Sequence, residues 1–171
     1  VDLCQWANQT NHTTPLEFEP TNSNIIARYA NGVKLVIDFL DNHMVNRDPY
    51  YRTAMGTCPV RFEGEEGWVE TGDSGQITLY PESLAKELAH FTMAGTDAST
   101  HARNFLDCVK SRALPAANAD VMRHSHVACH AAAIAWQLGR RLVFDPAKET
   151  FIGDEEANRM CSRAKRAPWH V

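Results

Sequence analysis

The stretch HSHVACH, residues 124–130, holds the densest group of side chains able to do chemistry. His126 and His130 are four residues apart and share one face of a helix, a spacing that can chelate a metal ion. His124 lies about 200° from His126 around such a helix, so those two cannot serve one ion. Cys129 points near His126. A metal site would need another ligand from elsewhere, such as His101 or Cys108, and no HExxH pattern is present. The same imidazoles serve as hydrogen-bonding groups at the rim of a packed helix, or as contacts to a substrate or a partner domain. The rim reading is the simplest for most of them, no metal is expected, and His126 stands as a substrate-binding candidate.

A second group is Asp48, Tyr50, Tyr51 and Arg52, within a stretch (residues 41–58) that has no clean hydrophobic period. A carboxylate, two phenols and a guanidinium suit a hydroxyl-rich ligand or an interface. They also suit an ordinary surface loop. Nucleophile motifs are absent: there is no G-x-S-x-G, and TGDSG places Ser74 beside Asp73 and a glycine as turn chemistry. A Cys–His thiol nucleophile has no local support. No two glycines are separated by a single residue, so no G-x-G-x-x-G exists, and no P-loop exists either. Taken alone, the chain lacks the usual Rossmann route to a dinucleotide, and no cofactor is expected on it.

At 171 residues the chain is long enough to bury a core as one domain. Hydrophobic residues make up 44% and charged residues 22%, with a formal net charge of −4. The only basic cluster, Arg163 to Arg166, reads as a solvated helix end where cations suit the macrodipole. Nucleic-acid binding by phosphate neutralisation is therefore disfavoured. No apolar run approaches the roughly 20 residues a membrane helix needs. Five scattered cysteines with no CxxC pair read as reduced, mostly buried thiols of a cytoplasmic protein. No signal peptide is present, but a chain that begins inside an element says nothing of what lay upstream, so export of a longer parent stays open.

These groups must be positioned by recognisable elements. Val1, Leu3, Cys4, Trp6 and Ala7 are spaced like the inner face of a helix remnant over residues 1–8. LEFE reads as a short strand. IIARYA and VKLVIDF alternate around Asn31-Gly32, which predicts a two-residue type I′ hairpin. Ile25, Ala27 and Tyr29 share one face of that hairpin, as do Val33, Leu35, Ile37 and Phe39 on the partner strand. A second hairpin turns at Gly64 to Gly67. QITLY is another strand, and PESLAKELAHF a short helix or turn. Asp97 or Ser99 begins a helix through 111, and an Ala-rich central helix ends at Gly139. RLVFD and TFIGD are short strands around Pro146. A last helix is capped by Asp154 and runs to Arg166 before Pro168. Strands first and helices later give an α+β class, with a largely antiparallel open sheet of about five to seven strands and helices on one face.

Four strings carry a further signal: EFEPTNSNIIARYANGVKLVIDF, VRFEGEEGWVE, HARNFLDCVKSR and WQLGRRLVFDPAKETFIGDEEANRMCSRAKRAPW. Together they resemble the C-terminal domain of the Gfo/Idh/MocA oxidoreductases, relatives of glucose–fructose oxidoreductase and inositol dehydrogenase. The last 35 or so residues are the most specific part. The resemblance implies a two-domain enzyme. An N-terminal Rossmann domain binds NAD(P), and the C-terminal α/β domain receives a sugar or polyol and forms oligomer contacts through its sheet. The family's Lys and general acid/base His precede Val1, so no catalytic residue is carried over. VDLCQW resembles the end of the family's H-x-[IV]-D-L-x-x-W, which makes Asp2 the last acid of that motif. The expectation is a fragment without its Rossmann domain, catalytically incompetent alone. The alternative is a sugar-binding or assembly module without redox chemistry.

Overall fold

A run of alternating apolar residues explains the centre of the molecule. In this computed structural model, which describes residues 1–37, 59–72, 74–88, 98–163 and 167, Glu17–Pro20 (β1), Ile25–Arg28 (β2) and Lys34–Ile37 (β3) form an antiparallel meander. Leu142–Asp145 (β7) pairs with the other edge of β1, and Thr150–Phe151 (β8) pairs with β7. The order is β3-β2-β1-β7-β8, antiparallel throughout. Phe18 stands opposite Ala27 and Leu142, Ala27 opposite Leu35, and Phe144 opposite Phe151, so one face collects the apolar side chains. All are buried. The other face carries Glu17, Glu19, Arg28, Lys34 and Val36, with Arg28 bonded to Glu19 at 3.0 Å.

The long helix Ala119–Leu138 (α4) covers the apolar face, packing on β1 and β2. Its buried residues include Ala128, Ala131, Ala132 and Ala135, small side chains that let the helix lie close to the sheet. Asn118 caps its start, accepting from Asp120 N and Val121 N. Gly139 ends it at φ 62°, the left-handed conformation expected of a C′ glycine. Asp2–Ala7 (α1) packs on α4. Glu155–Met160 (α5) packs on α4 and β8. Asp154 caps α5 as expected, and Arg140 holds the same carboxylate by two hydrogen bonds of 3.0 Å, which keeps it below the usual carboxylate range.

These elements make one compact unit, Val1–Asp41 with Ala117–Val171; the second is Asn42–Ala116. In the second, Val60–Glu63 (β4), Trp68–Thr71 (β5) and Ile77–Tyr80 (β6) form a three-stranded antiparallel meander. The expected turn closes with Gly64 N donating to Gly67 O at 2.8 Å. Gly67 is required there by space: a Cβ would lie 2.0 Å from the Tyr80 carbonyl oxygen. Ser83–Leu88 (α2) packs on β6, and Ala98–Ser111 (α3) is amphipathic, with no fully buried residue. The α+β class with antiparallel sheets therefore holds, with the described strands divided five and three.

Three local readings are corrected. The first hairpin is not type I′. Tyr29 N donates to Val33 O and Gly32 N to Tyr29 O, so three residues turn, and only Gly32 has positive φ, at 87°. This is the turn whose single left-handed residue follows a tight turn, and it suits one glycine better than a dipeptide with positive φ twice. Val33, at the edge of that turn, is 44% exposed rather than in the apolar row. The final helix stops at Met160, with Cys161 as its C-cap, short of Arg166. The described cysteines are not mostly buried: Cys4, Cys108 and Cys129 are half-buried, and Cys161 is exposed.

Tyr29 is 5% exposed, and burial pushes its phenol up to about 12. The neutral form is the one the fold favours, so the contribution to stability is complete below the ordinary phenol value of about 10. It is lost as pH rises from there towards 12. Spectrophotometric titration should show one phenol ionising late and coupled to unfolding, and Tyr29→Phe should remove that late phase.

Candidate functional site

The sequence-derived candidates divide by location. Tyr50, Tyr51 and Arg52, and Asp48 beside them, lie outside the described residues. Asp2 and His126 are on α1 and α4, the pair of helices that pack together in the first unit.

Asp2 opens α1 and is exposed, and its Oδ1 accepts a hydrogen bond of 2.8 Å from Ser125 Oγ. That contact joins residues 123 apart in sequence and fixes the head of α1 on the middle of α4. One carboxylate oxygen is engaged and Oδ2 is left to meet a hydroxyl, which is the arrangement a positioned acceptor needs. Ser125 was not foreseen. Nothing in its local spacing marks it, because its role depends on a helix that is distant in sequence.

His126 is the chain neighbour of Ser125 and is exposed. Its Nδ1 is 2.9 Å from the Met122 carbonyl oxygen, which can only accept, so Nδ1 carries the hydrogen and Nε2 faces outward. Its ring stacks on His130, centroids 6.4 Å apart and 24° between planes. Ser125, and not His126, is the direct partner of Asp2, and consecutive residues of a helix point about 100° apart. Among the described residues, no group of three or more His, Cys, Asp or Glu is placed to hold a metal ion. Burial pushes the Cys4 and Cys129 thiols up, which disfavours the thiolate a nucleophile requires.

The inner-face reading of α1 fails at two positions. Trp6 is 66% exposed and Leu3 is 37% exposed, whereas Gln5 is fully buried. Gln5 Nε2 donates to the carbonyls of Thr13 (2.8 Å) and Thr10 (3.3 Å), fastening the following loop to the helix. A six-residue helix is too short for apolar spacing to fix its orientation, and this polar anchor does so instead.

The comparisons with known proteins bear on this geometry. The profile described as the oxidoreductase family, C-terminal alpha/beta domain, of the Gfo/Idh/MocA proteins matches residues 9–171. The chain belongs to the Gfo/Idh/MocA oxidoreductase family. No curated protein and no solved structure matches it. The family match spans both sheets, α4 and α5, and starts after α1, so Asp2 and Trp6 stand just outside it. As a member of this family, the chain has the role of an oxidoreductase's C-terminal α/β domain. No helix among the described residues is long and apolar enough to cross a membrane.

Neither the glycine pattern nor the described antiparallel sheets supply a dinucleotide cradle of the Rossmann kind. A pyrophosphate cradle of the Rossmann kind needs a glycine-rich turn between a parallel strand and a helix. No such turn occurs in the sequence, and every described strand pair is antiparallel.

Proposed function

We propose that this chain is the substrate-orienting and assembly domain of a NAD(P)-dependent sugar or polyol dehydrogenase, with the dinucleotide held by a Rossmann domain outside these residues. The observation that carries the reading is the Asp2–Ser125 hydrogen bond on a domain of this oxidoreductase family. Asp2 resembles the last acid of the family's motif, and its oriented carboxylate is suited to accept from a substrate hydroxyl. His126, exposed on α4, is a second candidate of the reading, with Nε2 left to bond after Nδ1 meets the Met122 carbonyl. The domain's own contribution is to bind and orient. Redox chemistry belongs to the nicotinamide.

The test is turnover by the intact polypeptide that contains this chain. Removing the charge with Asp2→Asn should lower kcat/KM for the best sugar or polyol at least about tenfold, as expected for losing a hydrogen bond to a charged group. The melting temperature should be essentially unchanged, because Asp2 is exposed. Unaltered kcat/KM in the variant would remove Asp2 from the site.

The outward face of the five-stranded sheet supports the assembly part of the reading. Val36 is 55% exposed and Val143 is 37% exposed, beside the Arg28–Glu19 and Arg141–Glu17 ion pairs. A face of mixed apolar and paired charged residues is one that a second copy can cover. Val36→Glu should shift the protein towards monomer in sedimentation velocity while leaving its circular dichroism unaltered. An unchanged oligomeric state would place the contact elsewhere.

A further inference from the structure

Helix α3 leaves its apolar side chains in solvent. Phe105 is 57% exposed, Leu106 52% and Val109 47%. With Ala102 they fall within an arc of about 100° on the helix surface, since successive residues turn by about 100°. The half-buried residues of α3, Asn104 and Cys108, lie to one side of that arc. Asn104 Oδ1 accepts from Ala116 N at 3.0 Å, so that side faces the chain and the apolar strip faces away from it. A helix of 14 residues is marginal in water by itself, and a contiguous apolar strip marks a contact surface.

The outer border of the strip is basic. Arg103 and Lys110 stand three residues before and four residues after Leu106, on its solvent side. Neither is ion-paired among the described residues. Asp107, the acid of this helix, points about 150° away from the centre of the strip. The face therefore calls for an apolar partner with an acidic rim.

The same unit carries such a surface. An open groove of about 380 Å³ lies between the Gly64–Gly67 turn and the end of β6. Trp68 and Tyr80, cross-strand neighbours on β5 and β6, form its aromatic wall, and Tyr80 is 62% exposed. Arg61 holds the indole from one side, 4.5 Å above the ring, and is itself fixed by Glu70 at 3.4 Å. Glu63, Glu65 and Glu66 line the rim. Glu63 has Arg61 at 3.7 Å, whereas Glu65 and Glu66 have no cation among the described residues.

We infer that α3 docks into this groove on a second copy of the chain, with Phe105, Leu106 and Val109 against the partner's Trp68 and the partner's Tyr80, and with Arg103 and Lys110 facing the partner's Glu65 and the partner's Glu66. Within one chain both surfaces stay exposed, so neither satisfies the other in cis. A second copy brings both halves, and a two-fold pairing uses each of them twice and closes. An amphipathic helix laid in an apolar groove is a common recognition mode, in which burial supplies the affinity and the charges fix the direction. A net charge of −4 sets the chain against an anionic membrane as the occupant. The contact is separate from the one proposed for the five-stranded sheet, whose Val36 and Val143 belong to the other unit, and it does not depend on the redox reading.

The experiment is sedimentation velocity of this chain over a range of concentrations, at low and high salt. Self-association that weakens as salt rises is expected. Leu106→Glu should weaken it at least about tenfold with unaltered circular dichroism, since the residue is exposed. Reversing the cations (Arg103→Glu with Lys110→Glu) and reversing the acids (Glu65→Lys with Glu66→Lys) should each weaken it, and the combined variant should restore it to within about threefold of the parent. The same measurements on Val36→Glu separate the two surfaces. Association that Val36→Glu spares and Leu106→Glu removes belongs to α3. Association that Leu106→Glu spares overturns the inference, as does a chain that stays monomeric throughout, or a combined variant that is no better than either reversal alone.

Discussion

Phe18→Ala should lower the unfolding free energy by about 3–5 kcal/mol, the range for truncating a buried aromatic. Phe18 is fully buried in β1, the central strand of the five-stranded sheet. Its ring meets Phe144 edge-on, centroids 6.1 Å apart, and Phe144 meets Phe151 at 5.1 Å in the same manner. That row joins β1, β7 and β8, which are brought together from opposite ends of the sequence. Alanine removes the first ring of the row and leaves a void beneath α4, which is packed too closely to collapse into it. A domain of ordinary stability, about 5–15 kcal/mol, retains little margin after such a loss. Urea unfolding monitored by circular dichroism measures it. A change under about 1 kcal/mol would mean that the aromatic row is not the centre of the core.

Gln5→Ala should cost about 2–3 kcal/mol, although the residue is polar and on a helix of only six residues. The side chain is fully buried and donates to the carbonyls of Thr10 and Thr13. Alanine removes the donor to the Thr13 oxygen, while the Thr10 oxygen keeps its bond from Thr13 N, and it empties the space between helix and loop. Gln5→Glu makes the sharper comparison. It preserves volume, but a carboxylate cannot donate to a carbonyl, so it should destabilise at least as much at neutral pH. Hydrogen exchange should show faster opening of residues 9–13 in both variants, while α4 keeps its protection.

The sequence made the periodic elements legible and left the contacts between them hidden. The strands of both meanders, the long helix ending at Gly139 and the Asp154 cap follow from alternation, helical spacing and capping chemistry, each local in the chain. Fold class followed from their order. The turn at Ala30–Gly32 is one residue longer than its Asn-Gly predicts, because Asn-Gly serves two turn types and the pairing of Tyr29 with Val33 decides between them. The apolar spacing of residues 1–7 points Trp6 inward, but two turns of helix cannot distinguish an apolar face from an exposed indole beside a buried Gln5. Of the site, Asp2 came from resemblance and His126 from spacing. Ser125 became visible only once α1 lay on α4, since a hydrogen bond across 123 residues has no local signature. Tyr50, Tyr51 and Arg52 fall outside the described residues.

The first unit thus combines a core that fixes α4, a short helix fastened by Gln5, and a carboxylate aimed by Ser125 on a domain of an oxidoreductase family. The measurement that tests the account most directly is reduction of NAD+ or NADP+ by the intact polypeptide, supplied with a panel of aldoses and cyclic polyols. The account predicts substrate-dependent formation of reduced nicotinamide with at least one of them. A folded, assembled protein that reduces neither cofactor with any sugar or polyol would contradict it and favour a role in binding or assembly alone.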